Sequence, residues 1–161
     1  MKGAIGNALI LNIVITFVII FLLLVVGSMA YTKAYKVKNY LLVEVTKYVE
    51  NNDHYNFVSF HNDAEINKWD EIVNPYLGKT GYSLATSSTS CPKKYNDYNV
   101  VVKNDLGRYD YCIYKRESDE GDLKSSTYMI LAYMKLDLPA VGNYIRIPIK
   151  GETKNFIKRV E

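Results

Sequence analysis

The chain has 161 residues, 23% of them charged, and a net charge of +3, a size that suits one domain. Its lysines are scattered or lie beside an apolar segment, which argues against the clustered basic face that binds nucleic acid. The only histidines, His54 and His61, and the only cysteines, Cys91 and Cys112, lack the spacing of a zinc site, so a bound metal is not expected.

The first predicted element is an apolar helix. No charged residue occurs from Gly3 to Thr32, and the apolar core, residues 8–31, exceeds the roughly 20 residues needed to cross a bilayer. It is also longer than the core of a cleaved signal peptide, although cleavage after Ala30 stays an alternative. We predict a retained transmembrane anchor over residues 1–31.

Three polar residues interrupt this segment: Asn12, Thr16 and Ser28. Thr and Ser can return their hydroxyl groups to the helix backbone, so Asn12 is the costly one. A buried Asn commonly marks a contact between membrane helices, and the alternative is a polar residue tolerated near the interface.

The orientation of the anchor is ambiguous. Lys2 precedes the apolar segment and Lys33, Lys36 and Lys38 follow it, so the positive-inside rule alone places the C-terminal domain in the cytoplasm. A lone cysteine pair indicates a disulfide outside the cytoplasm and two free thiols inside it. Together with the family resemblance described below, the pair leads us to predict a single-pass protein of the cell membrane with its C-terminal domain extracytoplasmic and Cys91 joined to Cys112.

The helical pattern continues over residues 32–52, which contain no Gly or Pro, and stops at the polar residues 51–53. Apolar residues recur there at helical spacing. The sheet of the same chain can cover those nearest the domain, whereas those nearest the bilayer are expected to stay uncovered and to pack on partner helices. We therefore assign four residues to partner-helix packing, with coverage by the chain's own domain as the alternative: Val37, Leu41, Val45 and Tyr48.

Residues 53–161 are predicted to form an α+β domain. Asp63 can cap a short second helix over about residues 64–77, and Trp69 is its expected core anchor. An antiparallel sheet of four or five strands follows, with a turn at 104–107, a charged hairpin loop at 117–124 and a turn at 139–143. Pro148 argues for an edge strand. The predicted strands are 81–86, 98–103, 108–116, 126–138 and 144–153.

No pattern in the sequence points to catalysis. The chain has neither a nucleophile elbow nor a glycine-rich phosphate loop, and the adjacent carboxylates of Asp70-Glu71 and Asp119-Glu120 are expected to point apart. The 15 tyrosines suit half-buried strand surfaces or a contact surface, because tyrosine is amphipathic. We predict a protein that is not an enzyme, with no cofactor and no small-molecule substrate.

Three segments carry a resemblance to the TadE-like minor pilins of tight-adherence (Flp-type) pilus systems in Gram-positive bacteria: GSMAYTKAYKVKNYLL at 27–42, YDYCIYK at 109–115 and YMKLDLPAVGNYIRIPIKGETK at 133–154. The resemblance implies a pilin-like fold and a structural role in an envelope or pilus assembly. The implied partners are the lipid bilayer and other subunits, reached through the N-terminal helix. One departure bears on processing: the family's cleaved prepilins carry a glutamate early in the mature helix, and here no acidic residue precedes Glu44. An anchored ligand- or wall-binding module is the alternative function.

Overall fold

The structure is a computed structural model and describes residues 2–51, 63–120, 123–136 and 145–159. These residues form two helices and one antiparallel sheet, which confirms the predicted α+β class. His54, His61 and the predicted turn at 139–143 lie outside them. The elements are α1 (Lys2–Asn51), α2 (Asp63–Lys79), β1 (Lys94–Tyr95), β2 (Tyr98–Val102), β3 (Tyr111–Glu120), β4 (Leu123–Leu136), β5 (Ile145–Glu152) and β6 (Phe156–Arg159).

Helix α1 is continuous over 50 residues, a length of about 75 Å at the rise of an α-helix. Its two parts have different surroundings. From residue 8 to residue 26 every side chain is exposed, whereas from residue 34 onward one face is buried against the domain. The exposed apolar segment and the buried face that packs on the domain therefore belong to one continuous helix.

The apolar stripe of α1 belongs to the core of its own domain. Val37, Leu41 and Val45 are each 0% exposed, and the half-buried Tyr48 packs against the same core. The expectation that Val37 and Leu41 stay uncovered is wrong: they and Val45 offer no surface to a partner helix, and Tyr48 is left with only part of its side chain exposed. The reason is geometric: β4 runs along α1 as far as its apolar part, where a Cβ atom at Gly27 would lie 4.0 Å from Leu136 Cδ2.

The sheet has six strands in the order β1-β2-β3-β4-β5, with β6 also paired to β4. β4 pairs with β3 along one edge, and β5 and β6 follow each other along its other edge. Between β5 and β6, the three residues 153–155 lie opposite only two residues of β4, 127–128. The junction therefore contains one extra residue, as a β-bulge does. The backbone N–H of Thr153 donates to Tyr128 O (2.9 Å), and Thr153 Oγ1 accepts from Tyr128 N–H (3.0 Å).

Several strand predictions need correction. Residues 81–86 contribute a single bridge, Leu84 to Tyr109, instead of a strand. The charged loop predicted at 117–124 is wrong, since β3 extends to Glu120 and β4 begins at Leu123. A solvated two-stranded ribbon needs no apolar alternation, and oppositely charged residues can stabilise it across the strands, as the pairing of Asp119 with Lys124 allows. The short strands β1 and β6 were not expected.

Each face of the sheet buries a different cluster. Tyr128, Ile130 and Ala132 of β4 face α1 and α2, and the alternate residues Met129 and Leu131 face away. On the helical side, Trp69 is 1% exposed and its indole N–H donates to Tyr111 OH at 2.8 Å, which confirms it as a core anchor.

The edge strand β5 approaches α1 closely. A Cβ atom at Gly151 would lie 2.6 Å from both Leu42 Cδ1 and Lys38 Cδ, so glycine lets the helix rest on the strand. Pro148 lies in this strand and pairs with Tyr133 of β4, and its missing amide faces the open edge as predicted.

Candidate functional site

The apolar part of α1 is the first candidate for a functional surface. Among the described residues it is the one helix long and apolar enough to cross a membrane, and none of its apolar window is buried inside the protein. Large apolar side chains along it, such as Phe17 at 70% and Leu24 at 68% exposed, would meet water if the protein were not in a bilayer or against a partner.

Asn12 places a polar side-chain amide on this apolar surface. It lines a shallow groove with Ile13, Thr16 and Ile20. The Thr16 hydroxyl donates to Asn12 O at 2.8 Å, so the threonine is satisfied within its own helix. The side-chain amide of Asn12 is exposed within the apolar span, at a place where a partner helix could accept its hydrogen bonds.

Cys91 and Cys112 form a disulfide with their Cα atoms 5.9 Å apart, as expected from the pair. Cys112 belongs to β3 and is 0% exposed, whereas Cys91 belongs to the loop before β1. The bond holds that loop against the face of the sheet that α1 does not cover. The backbone N–H of Asn104 donates to Cys91 Sγ at 3.3 Å and ties in a second loop.

Beside the disulfide lies a carboxylate, Asp110, that is 0% exposed. Arg146 of β5 binds it through both ends of its guanidinium group, with Nη2 2.7 Å from Oδ1 and Nε 3.1 Å from Oδ2. Lys135 Nζ of β4 lies 3.2 Å from Oδ2, and Asn104 Nδ2 donates to Oδ1 at 3.0 Å. Each carboxylate oxygen therefore has two partners, and one buried anion meets two cations.

The cations of this cluster are themselves fixed. Lys135 Nζ also donates to Leu84 O at 2.8 Å, and the guanidinium carbon of Arg146 lies 3.3 Å from the centre of the Tyr133 ring. Burial alone would lower the pKa of Arg146, but the hydrogen bonds and the negative charge of Asp110 raise it above its ordinary value. The cluster joins β3, β4, β5 and the loop before β1, and its charged groups form hydrogen bonds and ion pairs with one another.

Tyr82 completes the cluster. Its hydroxyl group donates to Asp110 O at 2.7 Å and accepts the backbone N–H of Tyr133 at 2.6 Å. Burial raises the pKa of Tyr82 far above its ordinary value, so the hydroxyl stays protonated. A protonated tyrosine in this position acts as a structural bridge between β3 and β4.

A second polar site lies between α2 and β2, where a cavity of about 280 Å³ is lined in part by Trp69, Asp70 and Arg108. Burial raises the pKa of Asp70 above its ordinary value. The positive charge of Arg108 lowers this pKa in part, and the negative charge of Asp105 raises it further. Arg108 Nε lies 3.3 Å from Asp70 Oδ2. The neighbouring Glu71 is exposed, which agrees with the prediction that the two adjacent carboxylates point apart.

These groups do not assemble a metal site within the described part of the chain, where no three His, Cys, Asp or Glu residues come together. The sequence did not predict the roles of four residues of these two sites: Asp110, Lys135, Arg146 and Arg108. Asp110 and Arg146 stand 36 residues apart and meet only because β5 and β3 flank β4. No spacing within a single segment could indicate that pair.

Comparison of the chain with protein-family models, with curated proteins and with solved structures gave no match. The resemblance to TadE-like minor pilins stays a prediction from the sequence pattern.

Proposed function

We propose that the protein is a non-enzymatic, membrane-anchored, pilin-like subunit of an envelope or pilus assembly, with its domain on the extracytoplasmic side. The observation that carries the proposal is the single helix α1, whose first part is bare and apolar and whose second part is the spine of the domain. A pilin-like subunit needs this design, because the same helix must leave the membrane and present the domain.

The disulfide supports the extracytoplasmic side. Oxidising compartments preserve such bonds and the cytoplasm reduces them. Cys91 and Cys112 are the only cysteines in the chain, and they pair with each other. Lys33, Lys36 and Lys38 oppose this orientation by the positive-inside rule, which makes the redox state of the cysteines the decisive measurement.

Partner packing through α1 is assigned to its bare part. The stripe from Val37 to Tyr48 is occupied by the chain's own core, so the surface left for other subunits is the apolar segment around Asn12 and Thr16. Asn12→Leu should weaken association between subunits while the chain stays in the membrane. Ser28→Leu, which also replaces a polar residue of the span, is the matched control.

One experiment tests the proposal as a whole. Cells that produce the intact chain are sheared, and the sheared material, the washed membranes and the soluble fraction are probed for the protein. Recovery in the membrane after alkaline carbonate, with a share released by shear together with other subunits, supports the assembly role. A chain that never co-purifies with another envelope protein after cross-linking contradicts it.

The alternative, an anchored module that binds a ligand or a wall component, is favoured by the cavity next to Trp69, Asp70 and Arg108. It combines charged groups with apolar walls, as ligand sites do. Arg108→Gln should abolish binding of isolated wall polymer if this is the function, and should leave assembly unchanged if the first proposal holds.

A further inference from the structure

At the junction between the anchor and the domain lies a cavity of about 350 Å³. Val26, Met29 and Ala30 of α1 form its wall on the side of the anchor. Lys33 continues this wall by one helical turn along α1, and the domain lines the other side with Gly81, Tyr82, Ser83, Tyr133 and Lys135. The α1 wall is therefore continuous with the apolar segment and ends at the basic Lys33, and the domain wall combines tyrosines with polar groups.

Lys33 is the charged group of this cavity that is available to a ligand. Its side chain is exposed, and its ammonium group lies 3.7 Å from the position of a Cβ atom at Gly81. No carboxylate among the described side chains forms an ion pair with it. Lys135, in contrast, is held by Asp110 and by Leu84 O.

Other groups near the cavity in the sequence or in contact with its lining add positive charge. Asp110 is shared by Arg146 and Lys135, so that cluster carries one excess positive charge. Lys36 follows Lys33 by one helical turn, and no acidic residue occurs in the chain before Glu44. An anion is favoured here, and an occupant that also contacts Val26 and Met29 must have an apolar part.

We propose that this cavity binds one anionic phospholipid of the membrane that holds the anchor. The phosphate of the headgroup lies against Lys33, and an acyl chain runs along Val26 and Met29. The proposal depends on the proposed membrane anchoring.

The test uses the full chain reconstituted in nanodiscs of phosphatidylcholine, with and without phosphatidylglycerol, and in detergent with either lipid added. Thermal unfolding measures stabilisation by the lipid, and native mass spectrometry counts the lipids that stay bound. Lys33→Gln is compared with Lys36→Gln, which removes the same charge one turn away from the cavity. Alkaline carbonate extraction of each variant reports anchoring separately.

We expect phosphatidylglycerol to raise the unfolding temperature of the wild type and to remain bound as one molecule per chain. Lys33→Gln should weaken this binding about fivefold, as the loss of one lysine at a membrane surface does, and Lys36→Gln should keep most of it. Both variants should resist carbonate extraction.

Four results would overturn the proposal. An equal loss in both lysine variants would mean diffuse surface charge and no site. The same stabilisation by inorganic phosphate in detergent would mean a soluble anion in place of a lipid. Absence of any lipid effect in a chain that resists carbonate would remove the lipid site and leave the anchor intact, whereas release by carbonate would refute the anchor itself.

Discussion

Arg146 Nη2 lies 2.7 Å from Asp110 Oδ1, and this contact links the edge strand β5 to the start of β3 across β4. The carboxylate is 0% exposed, whereas the Arg146 side chain keeps 24% of its surface in solvent. Removal of the anion would leave Arg146 and Lys135 facing each other without compensation. Breaking a buried pair in this way costs far more than the pair contributes relative to apolar residues.

Asp110→Asn is therefore expected to lower the free energy of unfolding by about 3–5 kcal/mol, because two cations lose their shared partner. The measurement is denaturant unfolding of the full chain in detergent, followed by tryptophan fluorescence of Trp69. Asp105→Asn, at a carboxylate whose side chain is 65% exposed, is the control and should change stability little. A small effect of Asp110→Asn would show that water or another anion replaces the carboxylate.

The disulfide should also contribute through the unfolded chain. Replacement of Cys91 and Cys112 by serine opens a loop of 21 residues, and it should reduce stability by about 3 kcal/mol. Thiol labelling of denatured, unreduced protein purified from cells is the direct check, with reduced protein as the positive control. Two reactive thiols in the unreduced sample would contradict both the bond and the extracytoplasmic domain.

The exposure of neighbouring positions on α1 predicts opposite outcomes for similar substitutions. Leu41→Ala empties a site that is 0% exposed and should cost about 2–5 kcal/mol. Val43→Ala, at a residue that is 50% exposed, should stay within about 0.5 kcal/mol. Both are measured by denaturant unfolding in detergent. If both substitutions change the free energy of unfolding equally and only slightly, Leu41 is not part of the core and is again a candidate contact for partner helices.

The long helix, the second helix and the main strands follow from the sequence because each depends on a local signal. The apolar run, the 3.6-residue spacing of Val37, Leu41 and Val45, and the alternation around Cys112 are all contained within single segments. Two features of the structure could not be predicted from the sequence. The burial of Val37 and Leu41 depends on how far β4 runs down α1, and the Asp110 cluster depends on which strands become neighbours. Both are set by tertiary packing, which short-range patterns do not record.

Asp70 should make stability depend on pH in a definite direction. Burial raises its pKa above the ordinary value of 3.8, against the charge of Arg108. As the pH falls from neutral through this raised pKa, the folded chain takes up a proton before the unfolded chain does. The contribution of Asp70 to stability therefore increases as the pH falls toward 3.8 and decreases as it rises.

Asp70→Asn removes this titration, because the amide stays neutral at every pH. We expect the variant to be more stable than the wild type at neutral pH and to lose that advantage below the ordinary pKa of a carboxyl group. Denaturant unfolding of both chains at several pH values gives the difference directly, and other titrating groups cancel in the subtraction. Glu71→Gln, at the exposed neighbour on α2, is the matched control for the substitution of a carboxylate by an amide. A variant that is less stable than the wild type at neutral pH would mean that the ion pair with Arg108 outweighs burial and that the pKa of Asp70 is lowered.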